Sequence, residues 1–85
     1  MALAWHYHGV MSDDVVDLVR ARDLARSGRA KAIREAAGLS LAELGAALGV
    51  NGSTIGRWEA GERAPRADAA RRYAKLLKQL AEVGQ

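Results

Sequence analysis

The sequence predicts an all-α protein, a compact bundle of about five helices. Three observations lead there. Apolar residues recur at three- and four-residue intervals in successive stretches, and glycine, serine or proline separates one stretch from the next. Residues suited to helix ends stand where those stretches begin and stop, above all Ser40 with Glu43 three positions on, and Gly49. Strand-like alternation is confined to Leu3, Trp5 and Tyr7, a very short length. At 85 residues, 49% of them apolar, the chain suits one small core with little stability in reserve.

Residues 1–11 read as a short apolar N-terminal arm. His6 and His8 lack the third ligand that would define a zinc site, and an arm that enters a DNA minor groove uses Arg or Lys, of which this one has neither. Packing on the domain or on a second copy is the better reading. Residues 12–85 form a single helical domain. Ser12 opens it, with Asp13 and Asp14 in a first turn favoured by the helix dipole, so a helix over 13–25 is predicted, its apolar residues being Val15, Val16, Leu18, Val19 and Leu24. Ser27-Gly28 breaks the pattern. Ser27 is placed to cap the next helix, in which Ala30, Ile33, Arg34 and Ala37 run up to Gly38.

Ser40 and Glu43 then satisfy the orphan amides of another first turn, and the helix carries Leu41, Leu44, Ala47 and Leu48 before Gly49 ends it. Asn51 is placed to cap the following helix. There Ile55, Trp58 and Glu59 recur on one side, Gly52, Ser53, Gly56 and Arg57 lie on the other, and Gly61 closes it. Gly45 sits where the second helix of such a pair presses closest. Pro65 makes residues 62–65 a connection, and a last helix starts near Arg66 or Ala67. Ala70, Tyr73, Leu77 and Leu80 form its apolar stripe, with Leu76 and Val83 beside it and Arg71, Arg72, Lys75 and Lys78 elsewhere on the cylinder.

Two short helices joined by a glycine turn between Leu39 and Glu59 make a helix-turn-helix pattern. From Gly38-Leu39-Ser40 through Trp58-Glu59-Ala60-Gly61 and on to Glu62-Arg63-Ala64-Pro65, the chain resembles the XRE family, which includes the lambdoid phage repressors and Cro proteins. The resemblance covers a core over residues 29–80. It implies a lambda-repressor-like domain, with the helix at 13–25 and the arm added in front. Leu41 stands where the family usually has glutamine and Ala60 where it has asparagine, while Gly52 and Gly56 replace polar or longer residues.

The resemblance implies double-stranded DNA as the partner, read in the major groove by the helix over 51–60. Its base-facing positions are Asn51, Gly52, Ser53, Gly56 and Arg57. Only Arg57 is long and charged, so it is the expected main base contact, to guanine, with Ser53 second; a phosphate contact is the alternative for Arg57. Asn51 either reads adenine or spends its amide on the cap. Phosphate contacts are implied for Leu41, through backbone amide, and for Thr54, Arg63, Arg66, Arg71 and Lys75. Net charge supports this: the total is +3, and residues 57–78 hold seven basic side chains against three acidic ones. Trp58, Ile55, Leu44 and Leu48 are assigned to the core, and Glu59 to a structural ion pair.

No nucleophile–base spacing, phosphate-cradling loop or metal-ligand motif is present, so neither enzyme activity nor a cofactor or metal is expected. Without cysteine, signal-like segment or long apolar run, the chain reads as cytoplasmic and free of membrane. The expected function is a transcriptional regulator, a repressor of phage or prokaryotic type. It would act as a homodimer whose half-sites lie about 34–36 Å apart. Leu76, Leu77, Leu80 and Val83, with Trp5 and Tyr7, are the expected dimer contacts, unless they fold back on the helix at 13–25. The alternative is an antitoxin-like module whose main partner is a protein.

Overall fold

The computed structural model describes residues 8–83. Five helices follow one another: α1 (His8–Ser27), α2 (Arg29–Ala36), α3 (Leu41–Leu48), α4 (Gly52–Glu59) and α5 (Ala67–Val83). The all-α bundle expected from the periodicity is the fold. The arm residues Leu3, Trp5, His6 and Tyr7 lie outside the described residues.

α1 begins five residues earlier than the acidic pair suggests and runs two residues further. Asp13 and Asp14 therefore stand inside the helix, and Ser12 does not start it. The local start signal is overridden because no proline interrupts residues 9–12 and a growing helix adds residues at little cost once nucleated. The inner face also differs. Ala21 and Ala25 are fully or nearly buried with Leu18 and Leu24 beside them, whereas Val15, Val16 and Val19 are 52%, 45% and 58% exposed. Small side chains win this seam because α5 meets α1 with alanines of its own, Ala70 and Ala74, and β-branched residues would hold the two helices apart.

Ser27 ends α1 instead of capping α2. Gly28, at φ 88°, takes the N-cap position with no side-chain cap. The Ser27 hydroxyl still takes part, donating to the Leu24 carbonyl and accepting the Arg29 N–H at 3.3 Å. The connection into α5 is held from α1 as well, since Arg22 Nε donates to the Pro65 carbonyl at 3.0 Å.

Leu44, Ile55, Tyr73 and Leu77 are completely buried, and Leu48 and Trp58 nearly so. The Trp58 and Tyr73 rings meet at 4.8 Å between centroids, tilted by 43°. Each such side chain contributes about 1.5–3 kcal/mol through burial. Leu77, expected at a dimer contact, is thus core: it lies one turn after Tyr73 on the face that α5 turns inward. Leu76 and Leu80 are partly buried against that core, which leaves Val83, 82% exposed, as the free apolar side chain of the group. Ala47 is exposed as well, so α3 buries a narrower stripe than its sequence suggests.

Candidate nucleic-acid interface

The turn between α3 and α4 is built from backbone and from glycine. Ser40 and Glu43 form the expected reciprocal cap: the Ser40 N–H donates to Glu43 Oε1 at 2.8 Å and the Glu43 N–H to Ser40 Oγ at 3.0 Å. Gly49 ends α3 at φ 75°, a conformation that costs a side chain with a Cβ. The Val50 N–H then returns to the Gly45 carbonyl at 2.9 Å. Arg72, on α5, reaches across to donate to the Leu48 carbonyl at 2.7 Å, which satisfies an orphan acceptor at the end of α3.

α4 crosses α3 at close range. A Cβ added at Gly45 would stand 2.6 Å from the Val50 oxygen, and one added at Gly52 would stand 3.0 Å from the Ala42 nitrogen. Gly56 faces the Leu41 side chain at 3.5 Å on the same measure. Gly52 and Gly56, expected on the base-facing side, are therefore turned toward the first turn of α3. Their lack of a side chain serves the crossing of two helices.

Asn51 occupies the N-cap position of α4 with extended backbone, but its side chain makes no cap hydrogen bond. Its carbonyl accepts the Thr54 and Ile55 N–H groups instead, which leaves the exposed amide uncommitted. Ser53 and Arg57 are exposed one turn apart, on the side of α4 opposite the buried Ile55 and Trp58. Among the described residues no acidic group pairs with Arg57.

Thr54, Arg63 and Arg66, three of the expected phosphate contacts, come together. With Trp58, Ala64 and Ala69 they line an open groove of about 450 Å³ beside α4. Arg63 and Arg66 are exposed and lack acidic partners among the described residues, so with Arg57 they give this edge a positive field. Leu41 is half-buried at the start of α3, whose first turn packs against Gly52 at the start of α4.

Arg71 and Lys75 are elsewhere. Arg71 pairs with Asp14 on α1 and with Asp68 on its own helix, and these carboxylates raise its already high pKa while Arg71 holds Asp68 below its usual value. Lys75 follows Tyr73 by two residues, about 200° around α5. Since Tyr73 faces Trp58, α5 itself stands between Lys75 and α4. The periodicity showed these cations to be off the apolar stripe but not which neighbouring helix each side of α5 meets.

Arg34 was legible only as a charge on the apolar side of α2, one turn after the buried Ala30. It is 8% exposed, and its guanidinium joins the Glu59 carboxylate at the end of α4 while Nη1 donates to the Leu39 carbonyl at 2.9 Å. Glu59 raises the Arg34 pKa further, mainly through that hydrogen bond. The pair fixes the angle at which α4 leaves the core.

A short helix presented outward on a glycine turn, anchored to the core by Ile55 and Trp58 and edged by arginines without acidic partners among the described residues, defines a helix-turn-helix DNA-binding regulator. The model of the helix-turn-helix family of XRE type matches residues 31–83, and the chain belongs to that family. No curated protein and no solved structure matches the chain. Among the described residues no helix is long and apolar enough to cross a membrane.

Proposed function

We propose that the protein is a sequence-specific repressor of prokaryotic or phage type, which occupies a double-stranded DNA operator through the outward side of α4 and excludes polymerase. The observation that supports this most is Arg57: exposed, without an acidic partner among the described residues, and one turn from Ser53 on the face opposite the core. Arg57 donates its paired N–H groups to guanine, Ser53 makes a second polar contact, and Asn51, whose amide is not spent on the cap, reads adenine. Thr54, Arg63 and Arg66 hold phosphate beside α4, and the first amides of α3 and α4, including that of Leu41, hold another. One short helix with a single long side chain specifies few base pairs, so two copies act on a pseudo-palindromic site with half-sites about 34–36 Å apart. Selection of bound duplexes from a random pool, repeated at two salt concentrations, tests the reading. An enriched two-fold site supports it; a pool that stays random at both salt concentrations refutes sequence-specific repression.

A further inference from the structure

At the far end of α5 lies a groove of another character. Two adjoining hollows, of about 290 and 410 Å³, share Arg29, Ile33 and Ala81 and run between α2, α5 and the end of α1. Leu24, Ile33 and Leu80 give the groove an apolar floor, while Arg20, Arg29 and Lys78 stand exposed around it. None of these three cations makes an ion pair among the described residues. Asp23, the acid on the same rim, is already bonded to Arg26 at 3.3 Å. The groove is also distant from the DNA-reading side. Ala69 lines the hollow beside Thr54 and Ala81 lines this one, twelve residues and about 18 Å apart along α5.

We infer that this groove docks an acid-rich amphipathic segment of another protein, whose apolar side lies on Leu24, Ile33 and Leu80 and whose carboxylates face Arg20, Arg29 and Lys78. Charge decides between occupants. A second copy meeting the first on this face would bring Arg20, Arg29 and Lys78 against the same three cations, while Asp23, the acid among the lining residues, is already bonded to Arg26. A phosphate backbone gains nothing from the apolar floor. An amphipathic helix with acidic flanks satisfies both floor and rim.

The test uses the full chain and two labelled synthetic helical peptides with the same leucine spacing, one with glutamates and one with lysines at the flanking positions. Fluorescence anisotropy should show the glutamate peptide bound and the lysine peptide free. The Arg29→Glu, Lys78→Glu double variant, altered only at exposed positions and checked for helicity, should lose at least about tenfold in peptide affinity while its binding to a random duplex stays within about twofold. Four results would overturn the inference: no binding of the glutamate peptide, equal binding of both peptides, an unchanged affinity in the double variant, or displacement of the peptide by duplex. So would self-association of the chain that is abolished by the same two substitutions, since a second copy would then be the occupant.

Discussion

Arg34 donates from Nε and Nη2 to the two carboxylate oxygens of Glu59 at 2.7 and 2.9 Å, and this pair, with side chains only 10% and 6% exposed, ties the end of α4 to α2. Removing one partner leaves the other charge buried and unpaired. Glu59→Gln is expected to cost about 3–5 kcal/mol, whereas the Arg34→Met, Glu59→Leu double variant, with both charges gone, should lose far less. Urea unfolding midpoints check this. Equal losses in the single and double variants would mean that the pair matters only for its packing.

The proposed base contact of Arg57 and phosphate contact of Arg63 are separable by substitution. Arg57→Ala should weaken binding to the selected site by about 1–3 kcal/mol and flatten the preference at one base pair, while Arg63→Ala weakens every sequence alike and lowers the salt slope by about 1. Titrations of the selected site and of its single-base variants distinguish the two. An Arg57→Ala protein with unchanged base preference would reassign Arg57 to phosphate.

Gly52 offers a test with opposite signs. Replacing a helical glycine by alanine ordinarily gains about 1 kcal/mol. Here the new Cβ would stand 3.0 Å from the backbone of Leu41 and Ala42, so Gly52→Ala should lower the melting temperature, and Gly45→Ala, with its Cβ 2.6 Å from the Val50 oxygen, should lower it more. The expected cost of such overpacking is about 1–3 kcal/mol. A Gly52→Ala protein that melts higher would show that α4 does not press on α3 in this way.

The Tyr73 hydroxyl is buried and has no hydrogen-bond partner among the described residues. Tyr73→Phe should therefore stabilise the protein by about 1 kcal/mol, since it removes a desolvated group that gains nothing in return. Burial, chiefly, raises the Tyr73 pKa above its ordinary 10.0. The unfolded chain thus loses this proton before the folded one does, and stability present below that ordinary value falls as pH rises past it, by at most about 1.4 kcal/mol per unit. The phenylalanine variant has no such slope, so the stability gap between variant and parent should widen from about pH 8 to about pH 11. Chemical denaturation at both pH values measures it, and a constant gap would refute the burial of the hydroxyl.

What the chain determined by itself was the part governed by neighbours in sequence. Ser40 with Glu43, the left-handed glycines at 49 and 61, and the break before Pro65 each act through atoms a few residues away, so the helices that carry the α4 face were legible with nearly correct ends. The outward placement of Ser53 and Arg57 was legible for the same reason, because Ile55 and Trp58 set the inner side of α4.

The tertiary structure decided what depends on the partner across a seam. Nothing local makes Ala21 and Ala25 the inner face of α1 in preference to Val15, Val16 and Val19; that follows from the small residues of α5 opposite. Nor does one helix by itself show that Leu77 is core, that Arg71 meets Asp14, or that Gly52 and Gly56 face the first turn of α3. A helix periodicity gives two sides to every cylinder, and only close packing against a particular neighbour, with the volumes and charges that neighbour brings, settles which residues are enclosed and which remain free to bind.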